Sequence, residues 1–151
     1  PEGTTISVKN IFFNVPARRR FLSSNETERR NILTEIERIV LVNPTIEFIV
    51  YENDVETIHL PISGLKQRIV NLERKNLMQQ LIEIDEKTML GDIHGYVSRP
   101  ENVRKGKARQ FFFVNGRYIR HAYFHRAVMS VFDPLITPNS HPDYFTRQKQ
   151  R

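Results

Sequence analysis

Cysteine is missing altogether. Its absence excludes a disulfide scaffold and a thiolate metal site, and it fits a cytosolic protein. Glycine and proline, 6 and 8 of 151 residues, are too few to argue for long disorder. Apolar runs last only a few residues, so no segment reads as a membrane span. The amino end, PEGTTISV, has neither a basic n-region nor an apolar h-region and does not read as a signal peptide. Because the chain opens on Pro1 and not on methionine, it is expected to be a fragment of a larger protein. No P-loop and no GxGxxG is present. His121 and His125 have i, i+4 spacing, but the residues between them are Ala-Tyr-Phe. They supply no acidic group, and no further ligand set is visible, so neither a metal site nor a catalytic residue is assigned. Carboxylates are scattered, and no repeat, low-complexity tract or heptad pattern appears.

What is present is basic charge. The net charge is +6, with 26% charged and 39% hydrophobic residues. That balance describes a globular domain that favours polyanionic partners, nucleic acid first among them.

Two stretches carry most of the signal. In the first, Gly3–Leu22 (GTTISVKNIFFNVPARRRFL), Thr4–Lys9 alternates like a strand. Ile11, Phe12 and Phe13 then make a buried apolar step. Asn14 can cap, and Pro16 suits the first turn of a helix that carries Arg18, Arg19 and Arg20. These arginines read either as a solvated helix end or as phosphate contacts. In the second stretch, Gln110–Arg120 (QFFFVNGRYIR), Phe111–Val114 is apolar on both faces and reads as a central strand. Asn115-Gly116 is a two-residue hairpin signal.

Between them, a helix is expected over 26–42, with Asn25 and Glu28 at capping-box spacing. Its core stripe is Ile32, Leu33, Ile36, Ile39 and Val40, and Glu37 and Arg38 belong to its wet face. A hairpin follows over 45–60, with Ile46, Phe48 and Val50 on its apolar face. Pro61–Gly64 reads as a boundary and Leu65–Leu72 as a helix. Strands are expected over 79–84 and 89–98, with Gly91 and Gly95 marking a bulge or close approach. Pro100–Arg109 reads as a solvated basic loop. A helix over 122–132 carries Phe124, Ala127, Val128, Val131 and Phe132 as its stripe. The last residues, 146–151, read as a frayed tail.

The first stretch is similar to the G-T-x-V-x-(N/D)-(I/L)-F-x-N-x-P-A-R-x-x-F-L segment of the MutL family of DNA mismatch repair proteins. The second is similar to that family's (F/Y)-V-N-G-R segment, and the two come in the right order. The resemblance runs over residues 3–132 and on toward 145. It implies an α/β (α+β) fold: the C-terminal αβ part of a GHKL ATPase domain over 1–62, then a ribosomal protein S5 domain 2-like transducer domain over 63–145. Thr4 matches a threonine near the adenine of the ATP pocket. Arg117 matches an arginine linked to DNA binding. Arg18 and Arg19 match the family's P-A-R-R pair, where contact with DNA and bracing of the domain junction both stay open, as they do for Arg20.

The family's Mg²⁺-binding Glu-Asn motif, its D-x-G-x-G and lid motifs and its transducer lysine have no match in this stretch. The resemblance therefore implies a non-enzymatic fragment with no cofactor of its own. The parent would be a slow Mg²⁺-dependent ATPase that couples ATP binding to closure of a homodimer. Its implied partners are DNA, as mismatched duplex or single strand contacted without sequence preference, and a mismatch-recognition protein of the MutS type. Its implied setting is the bacterial cytosol, or the nucleus in a eukaryote. A module for protein interaction without nucleic-acid contact is the alternative; a related GHKL protein such as a topoisomerase subunit shares the transducer fold but not these motifs.

Overall fold

The computed structural model describes residues 2–73, 77–89, 91–106 and 108–149, with the backbone alone for Met78. The chain divides into two compact units, Pro1–Ile36 and Glu37–Arg151.

The first unit departs from expectation. Residues 4–9 keep their alternating sequence but run as irregular chain, with Ile6 and Val8 83% and 79% exposed. A strand needs a neighbour for its N–H and C=O groups, and among the described residues none lies beside this one. Ile11 and Phe13, expected to be buried, are exposed for the same want of a partner surface. Pro16 does open a helix, the single turn α1 (Pro16–Arg19), but Val15 and not Asn14 precedes it. Helix α2 (Asn25–Val42) follows. Its cap sits one residue before the expected position: Ser24 Oγ accepts from Thr27 N, and Glu28 Oε1 accepts from Ser23 N at 2.9 Å.

In the second unit, the last turn of α2 buries Val40 and Leu41, while Ile39 of the expected stripe is exposed, as is Ile32 in the first unit. Phase is set where the sheet is met, at the end of the helix. Glu37 and Arg38 are accordingly drawn inward: Glu37 accepts an ion pair from Arg109 at 2.7 Å, and the Arg38 guanidinium lies 4.1 Å over the Tyr118 ring.

Strands β1 (Phe48–Glu52) and β2 (Val55–Leu60) form the expected hairpin. Asn53 and Asp54 turn it at positive φ, as a two-residue connection requires. It starts three residues late because the carbonyls of Pro44 and Ile46 accept from Arg68 and not from a strand partner. Arg68 lies on α3 (Leu65–Leu72) and is fully buried. A short helix, α4 (Leu77–Gln80), leads into the main sheet.

That sheet holds β3 (Leu81–Thr88), β4 (Gly91–Ser98), β6 (Gln110–Val114), β7 (Arg117–Tyr118) and β9 (Tyr144–Lys149), in the order β3-β4-β9-β6-β7. A small separate pair is made by β5 (Arg104–Lys105) and β8 (Ser140–His141). β9 runs antiparallel to β4 and parallel to β6, and helix α5 (Ala122–Phe132) lies on the connection between the two parallel strands.

Registered pairs share a face. Tyr96, Phe145 and Phe111 occupy one row. With Phe113 they join Leu41, Leu65, Ile69, Leu77 and Leu81 in the core beneath α2 and α3. The opposite face meets α5. There Phe112 and Phe124 stack with centroids 4.3 Å apart and Phe132 is buried, but Val131 of the expected stripe is 64% exposed.

Three expectations are settled by this sheet. The close approach at Gly95 is real: a Cβ there would lie 2.2 Å from the Phe145 carbonyl oxygen. The frayed tail is not real over 146–149, since Thr146–Gln148 is paired on both sides within the sheet and Lys149 is paired with β4; residues 150 and 151 lie outside the described residues. The basic loop is only partly solvated. Arg104 Nε pairs with Asp143 at 2.7 Å, and Arg109 Nε pairs with Glu73 at 2.6 Å. Burial pushes the Glu73 carboxyl above its usual range against the pull of Arg109, whereas Glu37 and Glu73 together hold Arg109 charged despite its burial.

Candidate nucleic-acid interface

The Asn115-Gly116 pair turns β6 into β7 with φ of 48° and 78°, a geometry that only a few residue types adopt without strain. Asn115 N donates to Gln148 O at 2.9 Å, which ties the hairpin tip to the end of β9. Arg117 follows immediately and is exposed.

Beside the tip lies a groove of about 780 Å³. Arg147 and Lys149 of β9 line it, with His94 and Asp92 from β4 and the turn residues Asn115 and Gly116. Arg147 is half-buried, and burial pulls its pKa below the ordinary arginine value against the opposing effect of Tyr96. No carboxylate or hydrogen-bond acceptor holds its guanidinium among the described residues. A desolvated cation without an anionic partner is costly to the fold and is relieved by a bound anion. The arrangement therefore suits phosphate oxygens: one arginine at a tip, and an arginine and a lysine ending the strand two places across the sheet.

The sequence motifs point to Arg117 but miss Arg147 and Lys149, because a basic C-terminal stretch reads as tail. The available signal was the aromatic start of that stretch, Tyr144-Phe145, after Pro142. Arg18, Arg19 and Arg20 are exposed in the first unit, where Arg19 Nη2 donates to Phe13 O at 3.4 Å. Thr4 is exposed, and its hydroxyl has no hydrogen-bond partner among the described residues. No group of three His, Asp or Glu among the described residues is placed to hold a metal ion. Among the described residues no helix is long and apolar enough to cross a membrane.

Comparison with known proteins bears on these residues. A family model described as DNA mismatch repair protein, C-terminal domain, matches residues 69–147. The chain is 54% identical over 144 residues to the DNA mismatch repair protein MutL of Parabacteroides distasonis. It is 50% identical over 145 residues to the MutL of Phocaeicola vulgatus. These alignments cover 95% and 96% of this chain but 23% of each relative, so the chain spans about a quarter of their length. Among solved structures it resembles the Aquifex aeolicus MutL ATPase domain complexed with ADP, at TM-score 0.68 and 25% identity, over 95% of this chain and 51% of that one. The N terminal domain of a DNA repair protein superposes at TM-score 0.75 over 92% of this chain and 47% of that one; at 21% identity it speaks to fold alone.

Proposed function

The chain belongs to the MutL family of DNA mismatch repair proteins, and from that premise we propose that it is the region of a longer repair protein that meets the DNA backbone. Its sheet with helices on both faces is the S5-like fold of the matched domain. Residues 63–149 are assigned as transducer region, with β9 extending it past the expected end at 145. Residues 1–62 are assigned as the adjoining end of the ATPase region. Support for the latter comes from the ATPase domain found among the structural neighbours.

The observation that carries the DNA reading is the pairing of an exposed tip arginine, Arg117, with an unpartnered, half-buried Arg147 at the end of the neighbouring strand. Contacts from a hairpin tip and a strand end reach phosphate oxygens without reaching base edges, so binding is independent of sequence. Four arginines contribute little to that surface: Arg38, Arg68, Arg104 and Arg109 stack or pair inside the unit.

ATP with Mg²⁺, the closing of a homodimer and a partner of the MutS type are assigned to the longer protein, in the bacterial cytosol. When bound, the nucleotide would supply the free energy that favours the closed dimer. In this chain Thr4, with its unpartnered hydroxyl, is assigned to hydrogen-bond near the adenine, and Arg18–Arg20 to the DNA or the domain junction. No catalytic residue is assigned here.

Titration of a labelled duplex against the chain at increasing salt tests the reading. Affinity should fall steeply, and flat affinity from low to moderate salt defeats it. A second reading, a protein-interaction module, is favoured by Ile6, Val8, Phe13 and Phe21, all exposed in the first unit. No duplex binding at low salt, together with a stable protein complex, would select it.

A further inference from the structure

A second cavity, of about 470 Å³, lies between the start of α5 and the β6–β7 side of the sheet. Its volume falls in the range of small-ligand sites. Its apolar wall is the stacked pair Phe112 and Phe124, with the His121 ring edge-on to Phe124 at 5.5 Å. Arg120, His121 and His125 line it as well, and none of the described lining residues is a carboxylate.

Several polar atoms here keep free hydrogen-bonding capacity. His121 Nδ1 accepts from Tyr123 N, so the proton of the neutral ring sits on Nε2, free to donate. Gln110 Nε2 donates to Pro142 O at 3.2 Å, which leaves Oε1 free to accept. Tyr144 as a whole residue is 7% exposed, and its hydroxyl has no hydrogen-bond partner among the described residues.

We propose that this cavity receives one mononucleotide unit, its base against the Phe112–Phe124 wall and its phosphate at Arg120 and His125. Aromatic walls take any base by stacking, cations take the phosphate, and Gln110 and Tyr144 supply donors and acceptors to a base edge. A duplex keeps its bases stacked and paired, so the strand that fits is single. The unit comes either from such a strand or from a free nucleotide. The strand arm rests on the DNA reading above; the cavity chemistry does not.

The test uses the whole chain, with a labelled oligothymidylate of about 20 nucleotides, the same strand in duplex, and free dTMP. Arg120→Ala and His125→Ala should each weaken single-strand binding about fivefold, with the duplex changed less than about twofold. Arg117→Ala should weaken both forms alike. Circular dichroism checks that each variant is folded, and Tyr144→Phe, which keeps the ring, should still lower single-strand affinity. Photocrosslinking of a 5-iodouracil strand should mark Phe112, Phe124 or Tyr144. Loss of dTMP binding in His125→Ala with strand binding unchanged assigns the cavity to free nucleotide. Equal losses for single strand and duplex with no dTMP binding, or crosslinks only at the Arg117 hairpin and β9, overturn the proposal. Absent duplex binding with dTMP binding retained defeats the earlier DNA reading and leaves the cavity standing.

Discussion

Arg68 Nη2 donates a hydrogen bond of 2.7 Å to the carbonyl oxygen of Pro44, 24 residues earlier in the chain. The same nitrogen reaches Ile46 O at 2.6 Å and Pro61 O at 3.1 Å. One buried cation therefore gathers the end of α2, the start of the β1–β2 hairpin and its exit, with no carboxylate among these partners. Phe48 adds its ring, 5.5 Å from the guanidinium. Burial pulls the arginine pKa down, as expected for a charge solvated only by carbonyl dipoles.

Two effects oppose each other when Arg68 is replaced. Removing a buried charge relieves desolvation, whereas the carbonyls of Ile46 and Pro61 lose their donor, at roughly 1–3 kcal/mol for each one left unsatisfied; Pro44 O keeps the Ser63 N–H. The carbonyls outnumber the charge, so Arg68→Met should lose about 3 kcal/mol in urea unfolding. Arg68→Lys should recover less than half of that, since an ammonium lacks the planar fork. A loss under about 1 kcal/mol for Arg68→Met would show that the carbonyls find other partners.

Gly95 faces Phe145 across the β4–β9 pairing with no room for a methyl group. A Cβ would meet backbone atoms at 2.2 and 2.6 Å, which cannot move without parting the strands. Gly95→Ala should cost at least about 2 kcal/mol by overpacking. Gly64→Ala, where nothing lies within 4 Å, should stay within about 0.5 kcal/mol. Equal effects in thermal melts would remove the argument.

His59 on β2 sits 2.9 Å from Glu47 and 3.6 Å from Glu56. The hydrogen bond to Glu47 is the main cause that raises its pKa above the ordinary 6.5, with Glu56 adding to it and desolvation opposing. A raised folded value means that folding favours the protonated ring. The hairpin should then keep this contribution at pH below the unfolded value and lose it as pH rises through the folded one. An NMR titration of the His59 ring should give a value above 6.5 that falls in Glu47→Gln; an unshifted value in both proteins would dismiss the pair.

What the sequence made legible was local. Leu65–Leu72 and Ala122–Phe132 appear at the expected bounds because helical spacing and flanking breakers lie within a few residues. The Asn115-Gly116 turn is equally local. Long-range pairing was invisible. Nothing in Tyr144–Lys149 says that β4 and β6 will flank it, so its basic end looked like tail. Arg68 looked like an ordinary helix residue because its carbonyl partners lie as far as 24 positions away. Residues 4–9 fail in the opposite sense: the pattern is strand-like, but a strand is made by its neighbour. Of the site, Arg117 was reached through motif resemblance, whereas Arg147 needed the sheet register.

Charge reversal separates contact from background. Arg117→Glu should weaken duplex binding at least about tenfold more than Arg126→Glu, an exposed arginine on α5. Arg38 is unsuitable as the control because it stacks on Tyr118. Equal losses, read by fluorescence anisotropy, would remove the special place of the hairpin tip.

The most direct measurement is the slope of log affinity against log salt for one duplex, in the unaltered chain and in Arg117→Ala and Arg147→Ala. Phosphate contact by both side chains predicts a steep slope in the unaltered chain, shallower by about one in each variant. Slopes unchanged in both variants, or an affinity indifferent to salt, would contradict a DNA-contacting role for this surface.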